Sequence, residues 1–193
     1  MKMKKVTKTQ LAILFFSIAY TLISAFLYLG RKNYEFLIYI GVLIFFIALI
    51  SFLHLKYRFT TGTLLGISIW GLMHMLGGLV YINGTRLYGV MLLPFLRYDQ
   101  FVHFYCYIFV TLIAYQILRS YSKKDNLIVS ILLIFIGMGI GSLNEIIEFI
   151  AVLILPETGV GGYYNTMWDI VANTLGAVFA VVYINIKNYW TSQ

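Results

Sequence analysis

The residues of this chain that could carry chemistry are carboxylates, imidazoles and amides placed inside long apolar segments or at their ends. An ionisable side chain is expensive in hydrocarbon, so its presence there indicates a function by default. Carboxylate and imidazole groups together favour a divalent cation such as Mg²⁺, Mn²⁺ or Zn²⁺. The polar set comprises His74, Asp99, His103, Asn144, Glu145, Glu148, Asp169 and Asn173.

The spacing of these residues groups them into pairs. Residues three or four apart share one face of a helix, and three apolar segments each carry such a pair. We therefore expect three helices to direct polar pairs into one pocket, with further lining from neighbouring segments. The pairs are Asp99 with His103, Glu145 with Glu148, and Asp169 with Asn173, and the further lining residues are His74, Asn144 and Arg97.

The chemistry expected of such a pocket is metal-assisted. A bound divalent cation activates water and polarises a phosphoryl or acyl oxygen, and a carboxylate that stays off the ion can act as a general base. The candidate metal ligands are His103, Glu145, Glu148 and Asp169, and the candidate catalytic residues are Asp99 and Glu148.

Several structural explanations remain open for the same residues. Four carboxylates in a low-dielectric pocket need compensation, and a cation, protonation, or the arginines Arg86 and Arg97 would each supply it. His74 also suits a hydrogen bond between helices. Asp99 and Asp169 suit the first turn of a helix, where the helix dipole stabilises an acid.

The elements that must position these residues are apolar segments of about twenty residues, the length of helix that crosses roughly 30 Å of hydrocarbon. Apolar residues make up 61% of the chain and charged residues 11%, against roughly 45–50% and 25% in a soluble domain. The single cysteine, Cys106, excludes a disulfide framework or a cysteine metal cluster. We expect an all-α fold, a single transmembrane domain over 1–193 with six spans at about 11–29, 36–53, 64–82, 101–118, 127–149 and 168–186.

The orientation of the spans follows from lysine and arginine, which are retained on the cytoplasmic side. Ten of these residues belong to one side and four to the other, so both termini should be cytoplasmic and the polar pocket should face outward. The net charge of +7 then reflects the membrane topology and not binding to nucleic acid. The expected setting is the lipid bilayer of a prokaryotic cytoplasmic membrane. The ten are Lys2, Lys4, Lys5, Lys8, Lys56, Arg58, Arg119, Lys123, Lys124 and Lys187, and the four are Arg31, Lys32, Arg86 and Arg97.

Ordered motifs in the second half of the chain resemble those of the YjdF-like family of uncharacterised bacterial membrane proteins and, more distantly, the VanZ-like membrane proteins. The motifs are RYDQFVHF at 97–104, NEIIEF at 144–149 and YYNTMWDIVANTLGA at 163–177, with HMLGG at 74–78 in the first half. VanZ-like proteins are associated with glycopeptide resistance, but Glu148 stands where a glutamine is expected. The resemblance implies no established reaction. The family-matched positions are Asp99, His103, Glu145, Glu148, Asp169 and Asn173.

Three functions are compatible with this pattern. The first is metal-dependent action on a lipid-linked or envelope substrate at the outer leaflet. The second is a proton- or cation-coupled carrier, although no internal repeat of the kind common in carriers is evident. The third is a non-catalytic membrane protein in which the polar residues form a structural network.

Overall fold

Six long helices account for most of the chain, which a computed structural model describes over residues 6–121 and 127–191, with the backbone alone for 188–191. Each helix is long and apolar enough to cross a membrane. The prediction of an all-α, six-span membrane protein is therefore confirmed. The helices are α1 (Lys8–Gly30), α2 (Tyr34–Tyr57), α3 (Thr61–Leu79), α4 (Tyr98–Arg119), α5 (Leu127–Ile154) and α6 (Tyr163–Thr191).

The helix ends differ from the predicted spans because polar caps, and not hydropathy, decide where a helix begins. Helix α3 begins after Thr60, whose hydroxyl accepts a hydrogen bond from the Thr63 backbone N–H at 3.3 Å. Helix α6 begins at Tyr163, well ahead of the span predicted to start at 168. The polar residues before Trp168 consequently belong to the first turn of α6 and not to a connector.

The segment between α3 and α4 forms two small antiparallel hairpins. Strands β1 (Tyr81–Ile82) and β2 (Thr85–Arg86) pair across Asn83 and Gly84, both with positive φ. Two central residues with positive φ form the turn that suits a two-residue hairpin. Strands β3 (Met91–Leu93) and β4 (Leu96–Arg97) form the second hairpin, which leads directly into α4.

The contacts divide the chain into two compact units, Met1–Met91 and Leu92–Gln193. The prediction of one transmembrane domain over 1–193 stays a prediction, as does the orientation with both termini in the cytoplasm. Five of the ten basic residues assigned to the cytoplasmic side lie outside the described residues, namely Lys2, Lys4, Lys5, Lys123 and Lys124.

The first unit contains α1, α2 and α3, and side-chain hydrogen bonds join α1 to α3. Tyr28 Oη donates to the Met75 carbonyl at 2.6 Å, and the Ser17 and Ser68 hydroxyls lie 2.7 Å apart. Inside a bilayer the hydrophobic effect does not drive helices together, so such bonds and close packing carry more of the association.

The second unit contains α4, α5 and α6, and small residues bring these helices close to one another. A Cβ added at Gly137 of α5 would lie 2.7 Å from the Cβ of Ala177 of α6. A Cβ added at Gly176 of α6 would meet the Phe104 carbonyl oxygen of α4. This close approach brings side chains from all three helices within reach of one another.

Candidate functional site

The second unit contains most of the polar residues singled out in the sequence. His103 occupies the centre of the group, and residues of α4, α5 and α6 surround it at the end of the unit where α4 and α6 begin. His74 lies in α3 of the first unit. The residues in the second unit are Arg97, Asp99, His103, Asn144, Glu145, Glu148, Asp169 and Asn173.

The imidazole of His103 is 5% exposed and faces polar groups through both ring nitrogens. Its Nδ1 lies 3.0 Å from Asn173 Oδ1 and 3.6 Å from Glu145 Oε1. Its Nε2 lies 3.5 Å from Asp99 Oδ1 and 3.9 Å from Glu148 Oε1. One ring thus touches carboxylates from α4 and α5 and an amide from α6.

The hydrogen bond to Asn173 decides which nitrogen of a neutral His103 carries the proton. An amide oxygen only accepts hydrogen bonds, so Nδ1 must be the donor in the contact with Asn173 Oδ1. In the neutral ring the lone pair is then on Nε2. That lone pair is on the side of the ring where Asp99 and Glu148 lie.

Asn165 joins the α4 and α6 parts of the cluster. Its Nδ2 donates to Asp99 Oδ2 at 3.0 Å and to Asp169 Oδ2 at 2.5 Å, while its Oδ1 accepts from Arg97 Nη1 at 3.1 Å. The sequence analysis did not select this residue, because it assigned positions before 168 to a connector. The signal that could have found it is its spacing of four from Asp169.

Two further contacts fix the carboxylates on α4 and α5. Asn144 Nδ2 donates to Glu148 Oε1 at 3.1 Å, one turn along α5. Gln100 Oε1 accepts from the Arg97 backbone N–H at 2.8 Å, which ties down the start of α4 immediately beside Asp99. Gln100 was also absent from the sequence-based set, since a glutamine in the first turn of a helix gives no distinctive signal.

Buried polar atoms in this cluster remain without hydrogen-bond partners among the described residues. They are both carboxylate oxygens of Glu145, Oδ1 of Asp169 and Nδ2 of Asn173. These three residues are at most 7% exposed. A buried polar atom without a partner costs about 1–3 kcal/mol, and more if it is charged, so the cluster has coordination capacity that the chain itself leaves unused.

The cluster has a buried floor and a more accessible rim. Asp169 is fully buried and His103 nearly so, whereas the side chains of Asp99 and Glu148 are 17% and 16% exposed. Arg97 is exposed. A group arriving from outside the cluster would therefore meet Arg97, Asp99 and Glu148 first.

The charge of the cluster is unbalanced when its carboxylates are ionised. Asp99, Glu145, Glu148 and Asp169 supply four negative charges, whereas Arg97 supplies one positive charge and a neutral His103 supplies none. Ions buried without compensation are costly. A bound cation is one group that would compensate this imbalance.

Possible metal-ligand atoms in the cluster lie close enough together to share one ion. Two sets of three have ligand atoms within 4.8 Å of one another, Asp99 with His103 and Asp169, and His103 with Glu145 and Glu148. Ligands bonded at about 2.0–2.2 Å to one ion are at most about 4.4 Å apart. Small side-chain rotations would therefore bring either set onto one cation.

His74 has a different environment, formed by aromatic residues of the first unit. Its Nδ1 is hydrogen-bonded to Tyr88 Oη, and its ring stacks on Trp70 and packs beside Phe36 and Tyr39. The interpretation of His74 as a residue that hydrogen-bonds between helices stays a prediction.

Arg86 belongs to the first unit as well, where its Nη1 lies 3.1 Å from Glu35 Oε2. Burial lowers the pKa of Arg86, but hydrogen bonds to Tyr81 and Glu35 raise it, and the net shift is upward, so the guanidinium stays charged. Arg86 thus neutralises Glu35, a residue that the sequence analysis had not considered.

The fold and the polar cluster define a multi-pass integral membrane protein with six apolar helices. The chain belongs to the family described as "Predicted membrane protein (DUF2238)", whose model matches residues 10–188. No curated protein and no solved structure matches the chain.

Proposed function

We propose that the cluster around His103 binds a divalent cation, Mg²⁺, Mn²⁺ or Zn²⁺, and uses it to act on a lipid-linked or envelope substrate. The observation that carries this proposal is the combination of a buried imidazole, three carboxylates within 3.9 Å of its nitrogens, and buried oxygens without partners. Imidazole and carboxylate ligands suit such ions.

The proposed ligands are Nε2 of His103 and the carboxylates of Glu148, Glu145 and Asp169. Nε2 carries the lone pair because Nδ1–H donates a hydrogen bond to Asn173 Oδ1, the arrangement in which a second residue orients a metal-binding histidine. The unpaired Oδ1 of Asp169 and the unpaired oxygens of Glu145 would gain a partner in the ion.

Asp99 is the proposed general base. Its Oδ1 approaches the same nitrogen of His103 at 3.5 Å, its other oxygen is held by Asn165, and its side chain is partly exposed. It would therefore lie next to an ion on Nε2 and could take a proton from ion-bound water. Glu148, also at the rim, is the ligand closest to an incoming substrate.

Two surfaces beside the rim support the proposed substrate class. Arg97 is exposed beside Asp99, and a guanidinium is well suited to binding a phosphate. The exposed side of α5 next to the cluster is apolar, with Leu143, Ile146 and Phe149 at least 50% exposed. A substrate with an anionic head and an apolar tail would match both surfaces.

The setting of this activity is proposed to be the outer leaflet of a prokaryotic cytoplasmic membrane. The motifs at 97–104, 144–149 and 163–177 resemble those of YjdF-like and VanZ-like proteins, which supports a role in the bacterial envelope. The six apolar helices are long enough to cross a bilayer. A cation- or proton-coupled carrier is the alternative that the same carboxylates would serve.

The test is the metal content of the detergent-purified chain, measured by plasma mass spectrometry after incubation with Mg²⁺, Mn²⁺ and Zn²⁺. We expect close to one ion per chain in the wild type and at least a tenfold lower content in His103→Ala and Glu148→Gln. Glu157→Gln is the matched control, because Glu157 is an exposed carboxylate in the connector before α6. Circular dichroism checks that each variant keeps its helices.

Activity is then measured as metal-dependent release of phosphate from a polyprenyl phosphate in mixed micelles. Asp99→Asn should keep the metal and lose the activity, because only the base is removed. A wild-type chain without metal would overturn the cation proposal. A metal-loaded chain that conducts protons or cations in liposomes without releasing phosphate would establish the carrier instead.

A further inference from the structure

A second feature with ligand-binding character lies in the first unit, remote in sequence from the residues around His103. A cavity of about 340 Å³ is bounded by α1, α2 and α3. This volume falls within the roughly 300–1,000 Å³ typical of ligand pockets. Leucine, isoleucine and phenylalanine form most of its walls, including Leu14, Leu43, Ile47 and Ile50.

The length of the cavity matches one leaflet of a bilayer. Its lining on α2 extends from Leu43 to Leu55, and these twelve steps correspond to about 18 Å of helix. Half of a hydrocarbon core about 30 Å thick is about 15 Å. An apolar chain that enters the cavity at the end of α2 would therefore extend to the middle of the membrane.

Polar groups without partners lie at the end of the cavity near the start of α1 and the end of α2, and one turn beyond it. His54 lines the cavity, is 6% exposed, and has no hydrogen-bond partner for either ring nitrogen among the described residues. Arg58 follows one turn later, and its Nη1 is likewise buried without such a partner. A buried guanidinium nitrogen without a partner is costly, and an anion beside it would lower that cost.

The charge of this end is entirely positive. Lys8, Lys56 and Arg58 lie within the segments 6–20 and 50–65, which contain no acidic residue. Basic residues at a helix end attract anionic lipid headgroups. This end of the unit is also the one predicted to face the cytoplasm.

We propose that this cavity binds one anionic phospholipid, with an acyl chain between α1, α2 and α3 and the phosphate at His54 and Arg58. His54 would donate a hydrogen bond to a phosphate or glycerol oxygen, and Arg58 Nη1 would supply the charge. The apolar wall suits an acyl chain and the cationic end suits an anion. An anionic lipid has both groups, whereas a free phosphate has only the anion.

The experiment is native mass spectrometry of the full chain in detergent, with phosphatidylglycerol and phosphatidylcholine of identical acyl chains supplied in equal amounts. We expect the wild type to retain one phosphatidylglycerol in preference to phosphatidylcholine. Soluble glycerol phosphate should not compete, because it lacks the chain. Equal retention of the two lipids, or displacement by glycerol phosphate, would overturn the proposal.

Two kinds of variant test the binding of the lipid headgroup and of the acyl chain separately. Arg58→Gln should weaken retention of phosphatidylglycerol about fivefold, which corresponds to one basic contact, and Arg119→Gln at the end of α4 serves as its control. Ile47→Trp fills the cavity and should reduce retention of both lipids, whereas Ile44→Trp, on the exposed side of α2, should not.

The outcomes remain decisive if the tryptophan variant folds poorly. Arg58 lies at the end of α2, so the loss of lipid selectivity in Arg58→Gln tests the site without filling the cavity. Unchanged selectivity in that variant would contradict the proposal. A dimer in the wild type that Ile47→Trp dissociates would assign the cavity to a second copy of the chain and would also contradict it.

Discussion

At the scale of single residues, the cluster in the second unit depends on how the His103 ring is oriented. Asn173 fixes the ring from the Nδ1 side, and Asp99 and Glu148 lie on the Nε2 side. A residue that orients a metal-binding histidine without touching the metal typically changes metal affinity by about 10–100-fold when mutated. Asn173 is therefore a positioning residue in the proposed site.

Asn173→Ala is expected to weaken Zn²⁺ or Mn²⁺ binding by about 10–100-fold, because Nδ1 loses its acceptor and the ring is no longer held. Asn173→Asp should retain most of the affinity, because it keeps an oxygen toward Nδ1. Isothermal titration calorimetry of the purified chain measures both.

Asn185→Ala is the control for this pair, since Asn185 lies on the same helix and donates a hydrogen bond to the Ser130 hydroxyl at the exposed surface. Equal losses in the two alanine variants would indicate a general effect on α6. No loss in Asn173→Ala would show that the hydrogen bond to His103 does not support a metal ligand.

At the scale of elements, glycines on α5 determine how closely the carboxylates approach α6. Leu133, Gly137, Gly141 and Glu145 are buried at a spacing of four residues, so one face of α5 leads from apolar packing to the cluster. A Cβ at Gly141 would lie 2.8 Å from Asn173 Nδ2 and 3.0 Å from Asn173 Cβ. Gly141 thus makes room for the residue that holds His103.

Gly141→Ala is expected to lower the free energy of unfolding by about 1–3 kcal/mol, the usual cost of overpacking. Gly139→Ala on the same helix should be neutral or stabilising by up to about 1 kcal/mol, because a Cβ there meets nothing within 4 Å and alanine favours the helix. Unfolding in detergent titrated with sodium dodecyl sulfate measures the difference. Equal effects in both variants would contradict the packing argument.

The sequence predicted the pairs on α4, α5 and α6 because the residues of each pair are three or four apart, within an apolar segment or at its end. It missed Asn165, since a hydropathy pattern begins at Trp168 whereas α6 begins at Tyr163. The contacts that each polar residue makes in three dimensions could not be predicted from the sequence either. His74 is also an ionisable residue in an apolar segment, and in the structure its neighbours in the first unit include Trp70 and Tyr88.

At the scale of the whole molecule, the number of spans was predictable because apolar blocks of about twenty residues have few alternatives to a transmembrane helix. The side of the membrane depends instead on a small excess of basic residues. Within the second unit, the cluster lies at the end where α4 and α6 begin and toward the end of α5. The connector between α5 and α6 therefore reports which compartment this end of the unit faces.

Labelling of single cysteines in intact bacterial cells tests the orientation. On a Cys106→Ser background, Glu157→Cys should react with a membrane-impermeant maleimide, and Ser120→Cys should react only after permeabilisation, because the connectors after α2 and α4 carry the basic residues. Both positions are exposed, so accessibility within the protein does not distinguish them. The reverse pattern would place the cluster on the cytoplasmic side, which would exclude a substrate in the outer leaflet while leaving the cation-binding geometry intact.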